Sequence, residues 1–389
     1  MFTADLPPKP DQWEITPILE HRFRVERKID RDFLEAVSDN AADWHFRTRL
    51  GLNAKDKQGN KFVFQFQFGS TEAISNGKTV RTTNYDVNLA NWERTFDDWT
   101  ITLGRQGYKL ADGRLICSQT AWGNLGRTFE GLRLKSKEWE FFGFKEAVST
   151  PRNQELKSGL VSHKWEGGQT TAIYTQNDRT AGTTKHYTLN HVYKQTIGRA
   201  DLTLEGSVQA GKFNGLDHGA FAGTINVSSK VDKTVTAFVE ASVVSGSSGP
   251  KSGTFDAIYP SPILPHGMRS QVGFKNLKEL TFGAFWQPDS KLKLDGFLTF
   301  VGLFDEKDAW YGIGGSPNRR SGGIYQDPTG ASGSQVGSFL QLEAAYRLTK
   351  HDTLSAGLGA FFPGTFIKKQ LGTDATTQYW GYLGYAWKF

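Results

Sequence analysis

The sequence predicts an all-β fold: a single membrane-spanning, antiparallel, up-and-down β-barrel of about 18 strands, with short turns at one end and long loops at the other. Three observations carry this expectation. Apolar and polar residues alternate with a period of two along almost the whole chain. The connections between the alternating stretches are short and long in turn. No run of about 18 apolar residues occurs, so the chain holds no helical span.

Composition agrees. Gly 43, 13% aromatic, Met 2 and Cys 1 suit many strands joined by many turns rather than a helical enzyme. The 389 residues fit one large barrel as well as several ordinary domains. The 46 basic residues against 40 acidic ones give +6, which favours an anionic partner weakly. No nucleic-acid partner is expected. Cys117 is the single cysteine, so one chain can form neither a disulfide nor a thiolate metal cluster, and it reads as a small buried side chain. No metal and no cofactor are expected. The first residues, MFTADLPPKPDQWE, lack an apolar signal core, which fits a cytoplasmic protein or a mature exported one without its leader. Residues 1–12 read as a periplasmic lead and 13–389 as the barrel.

The strands follow in order. From Glu14 to Arg27, Ile15, Leu19, Phe23 and Val25 oppose Glu20, Arg22, Arg24 and Glu26. Phe46, Thr48, Leu50 and Leu52 oppose His45, Arg47, Arg49 and Asn53. Phe62, Phe64, Phe66 and Phe68 oppose Val63, Gln65 and Gln67. Later stretches repeat the pattern: Leu202 to Gln209, Val235 to Val243, Glu279 to Trp286, Leu340 to Leu348, Leu354 to Phe362 and Tyr379 to Phe389. Each is a strand with one apolar and one polar face. Alternation is weakest near Asn84 to Glu93 and Glu138 to Val148.

The connections separate a barrel from a soluble sandwich. Short ones are expected at Asp56–Asn60, Phe96–Asp98, Ser136–Lys137, Glu166–Gln169, Lys194–Arg199, Lys230–Lys233, Gln287–Ser290 and Thr349–Asp352. Long ones are expected at Lys28–Asp43, Ser70–Thr83, Gln106–Gly126, Ser245–Val272, Leu303–Gly337 and Pro363–Ala375. A soluble sandwich has no reason to place its long loops at one end, whereas an outer-membrane barrel turns short connections to the periplasm. Closure pairs every backbone polar group in lipid, so the apolar face points to lipid and the polar face to water. Trp13, Trp44, Trp92, Trp99, Trp139, Trp165, Trp286 and Trp387 fall at strand ends, as interfacial girdles require.

The segment Leu103 to Arg133 holds Arg105, Arg114, Arg127 and Arg133 with Asp112 and Glu130 among several glycines. Guanidinium groups fixed on such a support make a concave anion site. With lumen-facing Arg22, Arg24, Arg47 and Arg49 they would form a basic track. Glu20, Glu205, Glu240, Glu279, Asp295 and Glu343 would keep the lumen from being uniformly positive, so that an anion can both bind and leave.

The stretches LGRQ (Leu103–Gln106), DGRLI (Asp112–Ile116), RTFEGLRL (Arg127–Leu134) and GTFDAIYP (Gly253–Pro260) resemble, in this order, the signature of the alginate-export family of outer-membrane barrels. The terminal Phe389 is similar to the aromatic that marks bacterial outer-membrane proteins for assembly. The resemblance implies a monomeric barrel in the outer membrane whose arginine-lined constriction passes acidic polysaccharide such as alginate, or smaller anions. It implies that Arg105, Arg114, Arg127 and Arg133 line the constriction with Glu130, and that Asp256 sits in a long extracellular loop that folds inward. The family's dedicated exporter carries an extended periplasmic turn as a plug. Here those turns are minimal, which is equally consistent with a constitutive anion-preferring porin.

Strict alternation from Trp99, Ile101 and Leu103 aims Arg105 at lipid, where a midplane charge costs about 2–4 kcal/mol. Bulges at Gly104 and Gly131 are therefore expected to re-aim the chain. Catalytic motifs of the G-x-S-x-G, H-E-x-x-H and P-loop kinds do not occur, and the eight histidines are scattered. The expected reading is passive transport without catalysis. A general diffusion porin, a scaffold barrel holding a protein in its lumen and a barrel enzyme remain as alternatives.

Overall fold

Period-two alternation closes into a wall. The computed structural model describes the chain except residues 1–12, 35–39, 76–77, 119–121, 148–155, 178–182, 262–270 and 373–374, so the expected periplasmic lead lies outside the described residues. The wall strands are β1 (Trp13–Ile29), β2 (Ala41–Asp56), β3 (Asn60–Ser75), β4 (Lys78–Phe96), β5 (Trp99–Gln106) and β6 (Thr128–Lys135). Next come β7 (Trp139–Ala147), β8 (Lys157–Trp165), β9 (Gly168–Asn177), β10 (Thr184–Ile197), β11 (Ala200–Phe213) and β12 (Leu216–Lys230). The last six are β13 (Val235–Val244), β14 (Leu277–Trp286), β15 (Leu292–Gly302), β16 (Gln335–Arg347), β17 (Asp352–Pro363) and β18 (Gln378–Lys388). Each pairs antiparallel with its sequence neighbour, and β1 pairs with both β2 and β18, so the 18-stranded sheet has no free edge.

Burial is inverted relative to a soluble protein. Phe62, Phe64 and Phe68 are exposed on the outside of β3, while Gln65 and Gln67 are buried on its inside. Arg22 and Arg24 on β1 and Arg47 and Arg49 on β2 are likewise buried, beside half-buried outward residues such as Phe23. Apolar side chains outward and charged ones inward are what a lipid exterior around a polar lumen demands.

The connections sort as expected. At one end they are 57–59, 97–98, 136–138, 166–167, 198–199, 231–234, 287–291 and 348–351. Asp232 and Asp289 build two of these turns: Asp232 Oδ1 accepts from Thr234 N at 2.6 Å and Val235 N at 2.8 Å, and Asp289 Oδ1 from Lys291 N at 2.7 Å. These N–H donors hold both carboxyls below the usual aspartate range. Seven of the eight girdle tryptophans lie at this end, with Trp139 against His163 at 4.3 Å and Trp165 stacked on His191 at 5.4 Å, whereas Trp44 lies at the loop end of β2. Phe389 closes the wall through its N–H to Leu19 O at 2.8 Å.

The other end differs from expectation once. The loop expected at Ser70–Thr83 is instead strand, with β3 and β4 paired up to Ser75 and Lys78. The sequence there places Asn76-Gly77 between Ser/Thr-rich runs, which is a hairpin signal rather than a loop signal. The β11–β12 connection shows the same chemistry, with positive φ at Asn214 (51°) and Gly215 (82°). The 364–377 connection also carries a short helix, α1 (Thr365–Leu371), which buries Phe366 and Ile367 toward the lumen cluster.

The two ambiguous strands have separate causes. In β4 the register shifts where Gln65 faces Leu89 and Phe66 faces Val87, so the bulge at Asn88 breaks the period. In β7 both faces are apolar: Phe141 is exposed outside, and Phe142 and Phe144 are buried inside. The inner pair packs with Phe129, Tyr108 and Tyr259 beneath two loops that fold into the barrel.

Candidate functional site

The first inward loop, 107–127, starts above β6 and β7. There Tyr108 packs on Phe142 at 5.1 Å and lies 5.3 Å from the Arg133 guanidinium. Its tip crosses to β11 and β13, where Arg114 Nη1 meets Glu205 Oε2 at 3.0 Å and Nη2 meets Glu240 Oε2 at 2.7 Å. Asp112 adds a contact at 3.3 Å. Burial alone would lower the Arg114 pKa, but Glu240 and Glu205 outweigh it and hold it above the ordinary arginine value.

The loop then returns along the inside of β1–β3. Arg24 Nη1 donates to Trp122 O at 2.9 Å, and its guanidinium lies 3.4 Å from the Trp122 ring centre. Arg22 Nη2 donates to Gly123 O at 3.1 Å and Asn124 Oδ1 at 2.9 Å, and Arg47 Nη1 to Gly123 O at 3.0 Å. Asn124 Nδ2 donates to Ser70 O at 2.9 Å. Arg47 and Arg49 both pair with Glu20, and Arg24 Nε reaches Glu26 Oε1 at 2.8 Å. The expected arginines of the first two strands are thus brought together, four guanidinium groups beside the two carboxylates of Glu20 and Glu26.

A second loop, 245–276, folds in beside the first. Cys117 N donates to Tyr259 O, Tyr259 N to Leu115 O and Ser261 N to Gly113 O, each at 2.8 Å, so the two loops form one backbone-bonded layer. Asp256, expected in an inward loop, is there: Gln209 on β11 bonds its backbone on both sides, at 2.9 Å and 2.7 Å. Its carboxylate lies 3.7 Å from His186 and 4.0 Å from Lys275. Arg127 Nε pairs with Glu146 at 3.0 Å, and Nη1 donates to Pro260 O at 3.2 Å. Cys117, expected to be buried, is half-buried, and the burial it has pushes its thiol up.

The motif arginines do not converge on one ring. Arg114 binds the β11–β13 wall, Arg127 the β7 wall, and Arg133 pairs with Glu140 on β7. Arg133 also borders a polar cavity of about 400 Å³ near the short turns, with Glu93, Thr102, Lys135 and Lys137. Arg105 and Glu130, expected in the lumen, stand on the outer side of the wall. No register shift occurs through Gly104 or Gly131, which face each other. Thr102–Arg133 and Gln106–Phe129 point inward, so Leu103–Leu132 and Arg105–Glu130 point outward. The expected bulges are therefore absent there. A Cβ on Gly104 would run into the Ala90 carbonyl, and one on Gly131 into that of Gly143, so these glycines serve close strand approach. Arg105 satisfies its charge along the sheet, at 2.9 Å from Asp86 and 2.6 Å from Glu130.

Sequence reading missed an aromatic patch. Phe238 stacks on Phe285 at 5.3 Å, Phe297 meets Phe285 edge-on at 5.8 Å, and Lys293 Nζ lies 5.0 Å from the Phe285 ring centre. These rings occupy polar-face positions of β13–β15. Gly283 makes room for Phe238, since a Cβ there would strike its ring. A phenylalanine on a polar face beside a glycine is the signal that could have found them. Among the described residues, Glu26, Asp43 and His45 have metal-ligand spacing, but Lys28 already pairs with both acids.

A closed antiparallel wall, apolar outside and charged inside, with loops folded into its lumen, defines an outer-membrane β-barrel of the porin type. The chain belongs to the Alginate export family, whose model matches residues 16–381. Solved porin structures share the fold at low identity. Pseudomonas aeruginosa OpdQ has a TM-score of 0.64 at 12% identity, covering 97% of this chain and 99% of its own. Acinetobacter baumannii OccAB4 has 0.62 at 10%, covering 98% and 100%. Pseudomonas aeruginosa OccK2 (OpdF), solved in complex with glucuronate, has 0.60 at 11%, covering 97% and 98%. Among curated proteins no sequence matches the chain.

Proposed function

We propose that this protein is a passive, anion-preferring outer-membrane channel whose solutes are small carboxylates of the uronate class. The observation that carries the reading is the inner wall of β1 and β2, where Arg22, Arg24, Arg47 and Arg49 flank the inward loop beside the acids Glu20 and Glu26, while Asp43 pairs with Lys28. Guanidinium groups in a narrow, partly desolvated passage attract anions far more than they would in bulk water. Below the loop layer, Arg133, Lys135 and Lys137 face Glu93 and Asp98 across the polar cavity and offer a second basic station. The glucuronate bound by OccK2 (OpdF) belongs to that solute class. The Phe238–Phe285–Phe297 patch beside Lys293 suits the apolar face of a sugar ring carrying a carboxylate.

A polymer such as alginate is the second reading, favoured by the family. Two joined loops across the lumen, latched at Arg114, favour small solutes over it. Neither reading requires a catalytic site or a cofactor, and both are compatible with a monomer. The test is single-channel conductance in planar bilayers, with glucuronate and oligouronates added as blockers. Arg133→Ala is expected to lower the anion preference and weaken glucuronate block. Turnover of an ester, peptide or glycan, abolished by one Ser, His or Asp substitution, would replace the channel reading with an enzymatic one. A protein found seated in the lumen would replace it with a scaffold.

A further inference from the structure

Register aligns a row of charged side chains on the outer face. Beyond the apolar stretch of each strand, at the end remote from the short turns, the first outward polar residue is Glu130 on β6, Lys145 on β7, Lys157 on β8, Gln176 on β9, Lys185 on β10 and Lys212 on β11. These are direct cross-strand partners: Glu130↔Lys145, Lys145↔Lys157, Lys157↔Gln176, Gln176↔Lys185 and Lys185↔Lys212. Among the described residues acids meet the two ends of the row, Glu130 at 3.3 Å from Lys145 and Asp217 at 2.6 Å from Lys212. Lys157 and Lys185 are exposed and form no ion pair among the described residues. Like charges placed directly opposite destabilise a sheet, so an anion seated on the row relieves its repulsion.

Directly beneath the row, toward the membrane, lies an outward apolar groove of about 500 Å³ lined by Phe141, Gly143, Gly159, Val161, Tyr174 and Leu189. Gly143 and Gly159 pair with each other, and nothing stands within 4 Å of where a Cβ on either would be. The arc of β15–β18 is different: at the same end its outward residues are Phe300, Ser338, Phe362 and Tyr379, none charged, while β1 and β14 each carry one exposed outward cation there, Arg27 and Lys278. Charge faces outward from a membrane wall only at the headgroup level, so the row marks the outer interface on one arc.

The geometry points to a site for a phosphorylated lipid of the outer leaflet, its phosphates on Lys157, Lys185 and the flanking Lys145 and Lys212, and an acyl chain in the groove below. Headgroup and chain are recognised together, which separates this surface from a simple phosphate site. The test uses native mass spectrometry of the full barrel in detergent with bisphosphorylated lipid A. Each lysine near an anionic surface is worth about 1 kcal/mol, so Lys157→Gln with Lys185→Gln is expected to weaken binding about tenfold or more. A control pair at the short-turn end, Lys230→Gln with Lys291→Gln, should bind as the parent does. Dephosphorylated lipid A should bind parent and double variant alike, and millimolar inorganic phosphate should not displace the lipid. Equal binding of lipid A by the parent and the Lys157/Lys185 variant, equal loss in the control pair, or full displacement by inorganic phosphate would overturn the assignment. Heat-shifted gel mobility of each variant verifies that the barrel is closed.

Discussion

Arg114 shows how one residue sets the shape of the lumen. Buried between Glu205 and Glu240, it ties the loop tip to the wall opposite the loop's origin. Removing one partner of a buried ion pair costs about 3–5 kcal/mol because the remaining charge is stranded. Arg114→Ala is therefore expected to release residues 107–118, read as lost amide protection there and as larger, noisier conductance. Adding Glu205→Gln and Glu240→Gln should recover part of that protection, since the stranded carboxylates are gone. Recovery failing while the barrel stays closed would mean that Arg114 does not anchor the tip electrostatically. A second residue sets an acid limit outside the membrane. The hydroxyls of Thr329 and Ser332, with their N–H groups, hold the Asp327 carboxyl well below the usual range. A depressed folded pKa adds stability above the unfolded value near 3.9, lost as pH falls through the folded one. The turn at 327–332 should thus resist pepsin at pH 4 and yield only in stronger acid, and Asp327→Ala should make it labile at pH 4. Equal cleavage of parent and variant at pH 4 would contradict this.

At the scale of elements, two glycines explain how closely the motif strands approach their flanking neighbours, β5 against β4 and β6 against β7. Gly104 and Gly131 face each other in β5 and β6, and each lies against a neighbouring carbonyl where a Cβ has no space. Gly104 also has φ at +112°, which side-chain-bearing residues rarely adopt. Gly104→Ala is expected to cost about 1–3 kcal/mol through backbone strain and to lower the heat-shift temperature of the folded band. Gly219→Ala, which meets open space on the outer face of β12, should leave that temperature near the parent value. Equal effects of the two would remove the close-approach account. These glycines also mark what the sequence did and did not disclose. The LGRQ and EGLRL segments were legible as strands, but the purpose of their glycines was read as a change of direction. Parity in fact holds: Arg105 takes an outward position beside Glu130, and its guanidinium runs along the sheet to Asp86, whose register opposite Gln67 is inward. Strand β7 was obscure because Phe142 and Phe144 bury under a loop, a contact that period-two counting cannot see.

At the scale of the whole molecule, the architecture was legible because lipid outside and water inside impose one rule on every strand. The position of the inward loops was not, since it depends on partners far apart in sequence, such as Arg114 with Glu240 and Cys117 with Tyr259. The site follows from those loops. Purified protein should require detergent, give a β-type circular dichroism spectrum and shift its gel mobility on heating. A helical spectrum, or a detergent-free monodisperse monomer, would end the barrel account.

The central claim is that fixed positive charge in the lumen selects anions, and reversal potential in a planar bilayer under a salt gradient tests it most directly. Screening acts within about 8 Å at physiological salt, so charges bordering the open path should dominate. The account predicts a reversal potential on the anion side for the parent. It predicts a clear move toward zero in Arg133→Ala, and a further move when Arg22→Gln and Arg47→Gln are added. A parent potential at zero or on the cation side, or one unchanged in all these variants, would contradict it.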